Sequence, residues 1–552
     1  MSSRPVAAPL LTLALAALAL GSAAAGQATL FVNEAVARGI IYTPQYPQTI
    51  GIYGYAAGFA DLDGDGDDDI VAMGAAGGIV GLFENDGTGH FTDRTGTAGI
   101  APLPQGTAFA AADFDGDGDT DLLFTSMGGG GCRLYRNLRR EGQPWTFLDV
   151  TAGCGISTLG PIKAASWADI DLDGRLDLFL AAYRNATTTT MNIPSSLYRN
   201  EGEAFFVDIA PEIPGLVTPA YSFLGAFVDW DLDGDPDLYI SNDRGHLGPF
   251  FQGNQVFRND DGTLVDMSAK SPAAVSCYSM GVAVGDLNAD GWPDLYVTNI
   301  AAHAMPPVFG VNPLLLGGPD GSFVRGEALW GVGDFPSGTT GWGTLLFDLD
   351  DDGDHDLFVR NMWSADRLFL NPGAPPCTDI TLTSGLVGPS GPSFAVSAAD
   401  IDGDGDLDLL TSDAGHLLRL HINRSPGAAT NRSLFLRIVG EGANPEAIGA
   451  TALVRLDPGA PPRFRDVSAG GRSYLGQDSR RIHVGLGLRS SLAEAAIAWP
   501  RIGKAPPSRR TLVGLPSGRT WTVYPPARLG DADGDGRIGP ADRSAFAACL
   551  AA

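Results

Sequence analysis

The sequence predicts an all-β protein: a seven-bladed β-propeller, then a small β domain, then a short C-terminal EF-hand-like calcium loop with a helix. Three observations predict it. A ten-residue acidic motif recurs seven times, with first residues at 61, 113, 169, 229, 286, 348 and 400 and steps of 52 to 62 residues. A near-regular period of this size marks a propeller or solenoid. Each period holds four short strand-like runs separated by Gly-rich turns, the content of one propeller blade. No helical periodicity competes within residues 30–425.

The motif justifies the blades. Its copies run from DLDGDGDDDI at Asp61 to DIDGDGDLDL at Asp400. Position 1 is Asp61, Asp113, Asp169, Asp229, Asp286, Asp348 and Asp400. Position 3 is Asp63, Asp115, Asp171, Asp231, Asn288, Asp350 and Asp402. Position 5 is Asp65, Asp117, Asp173, Asp233, Asp290, Asp352 and Asp404. Position 9 is Asp69, Asp121, Asp177, Asp237, Asp294, Asp356 and Asp408. Position 6 is Gly in every copy. Position 7 varies through Asp67, Asp119, Arg175, Asp235, Trp292, Asp354 and Asp406, as expected where only the backbone carbonyl is used. Side-chain oxygens at 1, 3 and 5, a Gly turn at 6, a carbonyl at 7 and an acid at 9 give the oxygen spacing of an EF-hand-like calcium loop. Carboxylates this close repel one another unless a divalent cation sits among them.

The other elements follow around each loop. A segment of the form F-x-D-x-T opens the repeat, as at Phe31–Glu34, Phe91–Asp93 and Phe147–Thr151. A small-residue strand then runs into the loop, and an apolar strand leaves it, such as LLFTSM from Leu122. An L-x-x-N strand closes the unit, as at Leu82–Asn85 and Leu197–Asn200. The last unit ends at Asn423 with no following F-x-D-x-T, while Phe31 opens the first. The first strand is therefore expected to pair with the last blade and close the ring, hiding its edges.

Residues 1–25 read as a secretory signal: Arg4, a mostly apolar run from Val6 to Leu20, and Ala23-Ala24-Ala25 as the cleavage site. The run is shorter than the roughly 20 residues a membrane span needs. A net charge of −28 argues against nucleic acid and anionic membrane as partners. The five cysteines show no zinc spacing. Export permits disulfides, and Cys132 with Cys154 is the expected pair by proximity.

Residues 26–430, with their seven motifs, resemble the FG-GAP/VCBS repeat family, whose propellers carry this loop, as integrin α heads do. The resemblance implies structural calcium in the loops and no catalysis from the motif itself. Residues 431–526 change character. The runs Asn444–Ala450, Ser468–Gln477, Ile482–Gly487 and Ile497–Pro500 resemble the ASPIC/UnbV domain that follows such repeats in the cartilage acidic protein family. The segment departs from the family at Ala498–Gly503. In residues 530–552, Asp531, Asp533, Asp535, Arg537 and Asp542 occupy positions 1, 3, 5, 7 and 12 of a further calcium loop. A helix from Arg543 to Leu550 follows. This tail resembles half of a type I dockerin, which normally has two halves, so a cohesin partner is in doubt. The total expectation is about eight calcium ions by the loop rule.

No phosphate-binding Gly loop, H-E-x-x-H or G-x-S-x-G occurs, and the seven histidines are scattered. His355, inside the sixth loop, reads as a loop surface residue. The favoured function is extracellular binding or adhesion, with glycan or protein as the ligand. The rival is a carbohydrate-active enzyme of polysaccharide lyase or sugar dehydratase type, since some related propellers have those activities.

The span from the position-9 Asp to the last strand is 13, 13, 20, 19, 20, 12 and 12 residues, so blades three to five carry neighbouring insertions. These emerge opposite the calcium loops and carry Tyr183, Arg244, His246, Phe250, Phe251, His303 and Phe309. Aromatic platforms beside hydrogen-bonding groups suit a sugar or peptide ligand.

Overall fold

The computed structural model describes residues 30–45, 54–128, 131–156, 160–183, 194–218, 220–243, 253–300, 311–333, 339–362, 364–386, 392–427 and 430–526. The expected signal, most of the blade-three to blade-five insertions, and the tail from 527 lie outside them.

Seven sheets follow one another along residues 31–423, each antiparallel and built on four strands in consecutive order. In blade 2 the order is Gly106–Ala112, Asp121–Ser126, Arg133–Asn137, Phe147–Asp149. The small-residue strand is innermost because inner strands of neighbouring blades converge. Ala, Gly and Ser let the backbones approach, and the strand is buried along its whole length. The acidic loop is the turn from the first to the second strand, and the L-x-x-N strand is third.

The F-x-D strand is the outermost strand of the preceding blade, not the opening strand of its own. Its Phe is buried and its other two residues are exposed, as on an edge. This shift explains the closure. Phe31, Val32 and Asn33 pair antiparallel with Asn423, Ile422 and His421, so the first strand completes blade 7.

First and second strands of neighbouring blades join into a ring. Thr107 Oγ1 donates to Lys163 O (3.1 Å), Ser166 Oγ to Gly225 O (2.8 Å) and Ser241 Oγ to Met280 O (3.1 Å). Thr298 Oγ1 donates to Trp342 O (2.7 Å), Arg360 Nη1 to Ala395 O (3.2 Å) and Ser397 Oγ to Ala57 O (3.1 Å). The Ala56 N–H to Thr107 O bond (2.8 Å) supplies the link between blades 1 and 2.

Residues 432–523 form two sheets around one core. One holds Ile482–Gly487, Arg432–Ile438 and Thr520–Val523. The other holds Arg463–Asp466, Thr451–Arg455, Ser491–Ala498 and Arg509–Pro516. Leu434, Leu436, Val454, Val484, Leu486 and Ile497 fill the space between. Cys132 and Cys154 do not form the expected disulfide. Both are buried thiols in one core cluster, and burial pushes the Cys132 thiol up to about 12.

Candidate metal loops and the interface above them

In each loop the position-6 Gly has a φ between +90° and +102°. Only Gly adopts such a backbone without strain. Position 4 is also left-handed, and in four blades it is not Gly: Leu172, Leu232, Ala289 and Asp351 have φ of 55° to 62°. The spacing did not reveal this constraint.

Position 9 is fully buried, and its two oxygens do separate work. Asp69 Oδ2 accepts from the Leu62 N–H (2.8 Å) and Oδ1 from the Asn85 N–H (2.9 Å). The same pair of bonds recurs at Asp121, Asp177, Asp237, Asp294, Asp356 and Asp408. The L-x-x-N asparagine thus holds its own loop through its backbone, and its side chain reaches the loop of the preceding blade. Asn137 Nδ2 donates to Leu62 O (2.8 Å), Asn200 to Phe114 O (2.8 Å) and Asn259 to Ile170 O (2.9 Å). Asn371 donates to Leu287 O (2.8 Å), Asn423 to Leu349 O (2.9 Å) and Asn85 to Ile401 O (3.0 Å). Blade 5 has Gly317 there, which keeps the backbone bond to Asp294 (2.8 Å) and has no side chain to make the second.

The donor set fits a hard divalent cation. Ligand atoms of positions 1, 3 and 9 lie within 4.8 Å of one another in Asp61/Asp63/Asp69, Asp113/Asp115/Asp121, Asp169/Asp171/Asp177 and Asp229/Asp231/Asp237. Buried oxygens of Asp231, Asp348, Asp350 and Asp402 lack any hydrogen-bond donor, as expected of atoms aimed at a cation. Burial above all, with neighbouring carboxylates adding to it, makes these groups weaker acids, pushing Asp61 up to about 6 and Asp69 up to about 9. Position 5 stands outside these groups. Its carboxylate accepts the position-7 N–H in every blade, 2.9–3.1 Å long. The turn itself therefore needs only the backbone at position 7, although the Arg175 side chain also donates to Asn200 O (2.7 Å).

His355 is not a surface residue. It is buried, and its Nδ1 accepts the Asp286 N–H (3.0 Å), tying the sixth loop to the fifth. Position 8 lies where neighbouring loops meet, so a side chain there is covered.

The second domain caps this loop face and touches all seven loops. Arg481 pairs with Asp68 (3.0 Å) in blade 1, and Glu446 accepts the Asp113 N–H (2.8 Å) in blade 2. The Gly503 N–H donates to Leu172 O (2.6 Å), and Arg501 pairs with Asp235 (3.0 Å). The Phe464 N–H donates to Asp286 Oδ2 (2.8 Å), and Arg463 pairs with Asp354 (2.7 Å). In blade 7, Ser433 Oγ donates to Gly405 O (2.7 Å). The arginines enriched in this domain answer the acids at positions 7 and 8.

One loop of the cap, Ser468–Ser479, enters the propeller channel and reaches every inner strand. Phe59 N–H donates to Gln477 O (2.9 Å), and Ala111 N–H to Gln477 Oε1 (3.0 Å). Trp167 and Ser166 pair with Ala469 and Gly470. Arg472 donates to Phe227 O (2.9 Å), and Ser473 exchanges backbone bonds with Val282 (2.8 and 2.9 Å). Ser473 Oγ donates to Val396 O (2.9 Å). Tyr474, with no exposed surface, packs on Trp342, Phe223 and Phe394 at ring distances of 5.1, 5.7 and 6.5 Å. Bulges in the inner strands of blades 2 to 7 aim Phe223, Met280, Trp342 and Phe394 at this loop. Lys163 joins them, its Nζ 5.5 Å from the Tyr474 ring centre, and burial drives its amine well below the ordinary lysine value.

Of the expected ligand face, Tyr183 is described. It is buried, its ring lies 4.7 Å from that of Phe223, and its hydroxyl donates to Asp243 (2.9 Å). Arg244, His246, Phe250, Phe251, His303 and Phe309 lie outside the described residues, as do Asp531, Asp533, Asp535, Arg537 and Asp542.

The geometry defines a seven-bladed repeat propeller closed by a docked and channel-inserted β domain. Comparison with known families agrees. The chain carries FG-GAP-like repeats, matched at residues 61–124, 169–240, 229–297 and 348–411, and an ASPIC and UnbV domain at 440–529. It is similar to cartilage acidic protein 1 of Mus musculus, 31% identical over 184 residues, which cover 32% of this chain and 28% of that protein. The Homo sapiens protein of the same name is 30% identical over 184 residues, 32% of this chain and 27% of its own. The Xenopus tropicalis protein is 25% identical over 485 residues, 81% of this chain and 70% of its own. Among the described residues, no helix is long and apolar enough to cross a membrane.

Proposed function

We propose that this is a secreted calcium-binding scaffold acting in extracellular binding or adhesion, with calcium holding the loop of each blade. The observation that carries the reading is the convergence of position 1, 3 and 9 carboxylate oxygens within 4.8 Å in successive blades. Such a set in a protein interior is costly without a cation, and hard oxygen donors favour calcium. Calcium would be held by positions 1, 3, 5 and 9 with the position-7 carbonyl, supplying the positive charge that these acids lack. The same loops are the platform for the cap, so calcium acts on both domains at once. The ligand is glycan or protein. The export reading of residues 1–25 and the name of the relatives support an extracellular site. The test is direct. The purified protein should take up at least seven calcium ions by mass spectrometry of bound metal, and a chelator should lower its melting temperature, because a ligand bound only by the folded state stabilises it. An unchanged melt in excess chelator would refute the reading.

A further inference from the structure

Between the cap and the first two blades lies a cleft of about 460 Å³. Five guanidinium groups line it: Arg139, Arg140, Arg437, Arg480 and Arg481. Four are already paired. Arg139 and Arg140 share Asp119 (2.6 and 3.5 Å), Arg480 holds Glu446, and Arg481 holds Asp68 (3.0 Å). Arg437 is exposed, and its side chain makes no hydrogen bond or ion pair among the described residues. It faces the first loop, 3.7 Å from where a Cβ on Gly66 would stand, and it acts electrostatically on Asp61.

The first loop also differs from the other six. Their position-1 aspartates are buried, between 0% and 6% exposed, whereas Asp61 is partly open. Asp61 and the buried Asp113 of the second loop both line the cleft.

We propose that this cleft is an anion-recognition site, taking a carboxylate or sulfate group of an acidic saccharide. Arg437 meets the anion, and the cation-loaded first loop forms the opposite wall. The proposal rests on the calcium-scaffold reading. A guanidinium is suited to carboxylate and sulfate because it offers a planar fork of donors. Four acids, Asp61, Asp68, Asp113 and Glu446, line the cleft beside the five arginines, so the surplus positive charge of the lining is that of one guanidinium, and Arg437 is the one not already paired. An acidic peptide is the less favoured occupant. Arg437 lies on Arg432–Ile438, the central strand of a three-stranded sheet, so an extended peptide could add only to the outer edges, Ile482–Gly487 or Thr520–Val523, one strand away.

The test uses the full calcium-loaded chain and titration calorimetry. The probes are an oligogalacturonate for carboxylate, a heparin-derived hexasaccharide for sulfate, maltohexaose as the neutral control, and a polyglutamate peptide. Binding of either acidic saccharide, with none of maltohexaose, is expected. Arg437→Glu should weaken it at least about ten-fold, the scale of one charge-assisted contact. Arg510→Glu makes the same charge change on another strand and should leave affinity intact. Equal affinity of Arg437→Glu and the parent, tighter binding of polyglutamate, or no binding of either acidic saccharide overturns the proposal. Bound calcium and chelator sensitivity measured on Arg437→Glu keep the two readings apart. If both match the parent, the scaffold stands whether or not the cleft binds.

Discussion

Replacing Tyr474 with Ala should uncouple the two domains. The side chain is fully buried and wedged among Phe223, Trp342 and Phe394 at the channel axis. Large-to-small changes at such aromatic sites cost about 3–5 kcal/mol, because transfer energy is lost and a cavity stays. Collapse is limited here, since the surrounding rings belong to different blades held by the inner hydrogen-bonded ring. About 4 kcal/mol is therefore expected. Tyr474 sits on the inserted loop of the cap, so its loss weakens docking more than it weakens either core. The assay is urea unfolding followed by tryptophan fluorescence, for which Trp342 is a reporter in direct contact. The parent should show one transition for propeller and cap together, and the variant two. Leu382→Ala, at a site 92% exposed, should change stability by less than about 0.5 kcal/mol. A single transition with a loss below about 1 kcal/mol in Tyr474→Ala would refute the view that the inserted loop joins the domains.

Three further outcomes are expected. Gly174→Val should cost about 1–3 kcal/mol, because φ is +90° there, and lower calcium uptake by one ion. Arg175→Ala, which keeps the position-7 carbonyl, should retain the full calcium count. Asn200→Ala removes side-chain bonds to Phe114 O (2.8 Å) and Leu176 O (3.1 Å) and should cost about 2 kcal/mol, read from the urea midpoint. In chelator, stability should fall as pH rises. Burial, the largest cause, pushes Asp169 up to about 7, Asp113 to about 8 and Asp69 to about 9, against 3.8 for the ordinary group. A folded-state value raised this way favours the native state at low pH, and the benefit is lost between about pH 4 and 9. Saturating calcium should flatten that dependence, since the carboxylates stay charged against the cation. Melting curves from pH 5 to 9, with and without chelator, decide it.

Most of the propeller was legible because its constraints are local and repeated. Gly at position 6, oxygens at 1, 3, 5 and 9, and apolar runs after each loop follow from turn geometry and strand burial. The pairing of Phe31 with Asn423 was legible from a missing strand at one end and a spare one at the other. The sequence was silent where a contact joins distant parts. The F-x-D strand was assigned to the wrong blade because covalent order does not say on which side of a boundary a strand pairs. The double role of the L-x-x-N asparagine was hidden, although its recurrence was a signal, and Gly317 in blade 5 marks where it fails. His355 was misread because position 8 looks solvent-facing until the neighbouring loop is placed. Ser468–Gln477 was recognised as a motif with no physical reason attached. Its composition, two glycines beside Arg472 and Tyr474, is that of a chain threading a narrow passage. Gly471 shows why: a Cβ there would stand 2.0 Å from Gly225 O.

The inserted loop also constrains where a ligand can bind. A propeller whose channel is open can hold a ligand on its axis, among the inner strands. Here the axis is occupied by Tyr474 and Leu475, both buried, and the channel ring of Phe223, Met280, Trp342 and Phe394 is closed on them. The loop face is covered by the cap, through contacts to every loop. On the proposed binding function, this leaves the rim of the cap, where clefts remain, and the face from which the blade-three to blade-five insertions leave. At that second face Tyr183 and Asp243 are locked together, which anchors the points where two insertions begin. A firm base where insertions begin is the arrangement that binding surfaces on rigid scaffolds use. On the proposed binding function, cap rim and insertion face are separate candidate places for ligands, and a charge change at Arg437 should leave binding at the insertion face untouched.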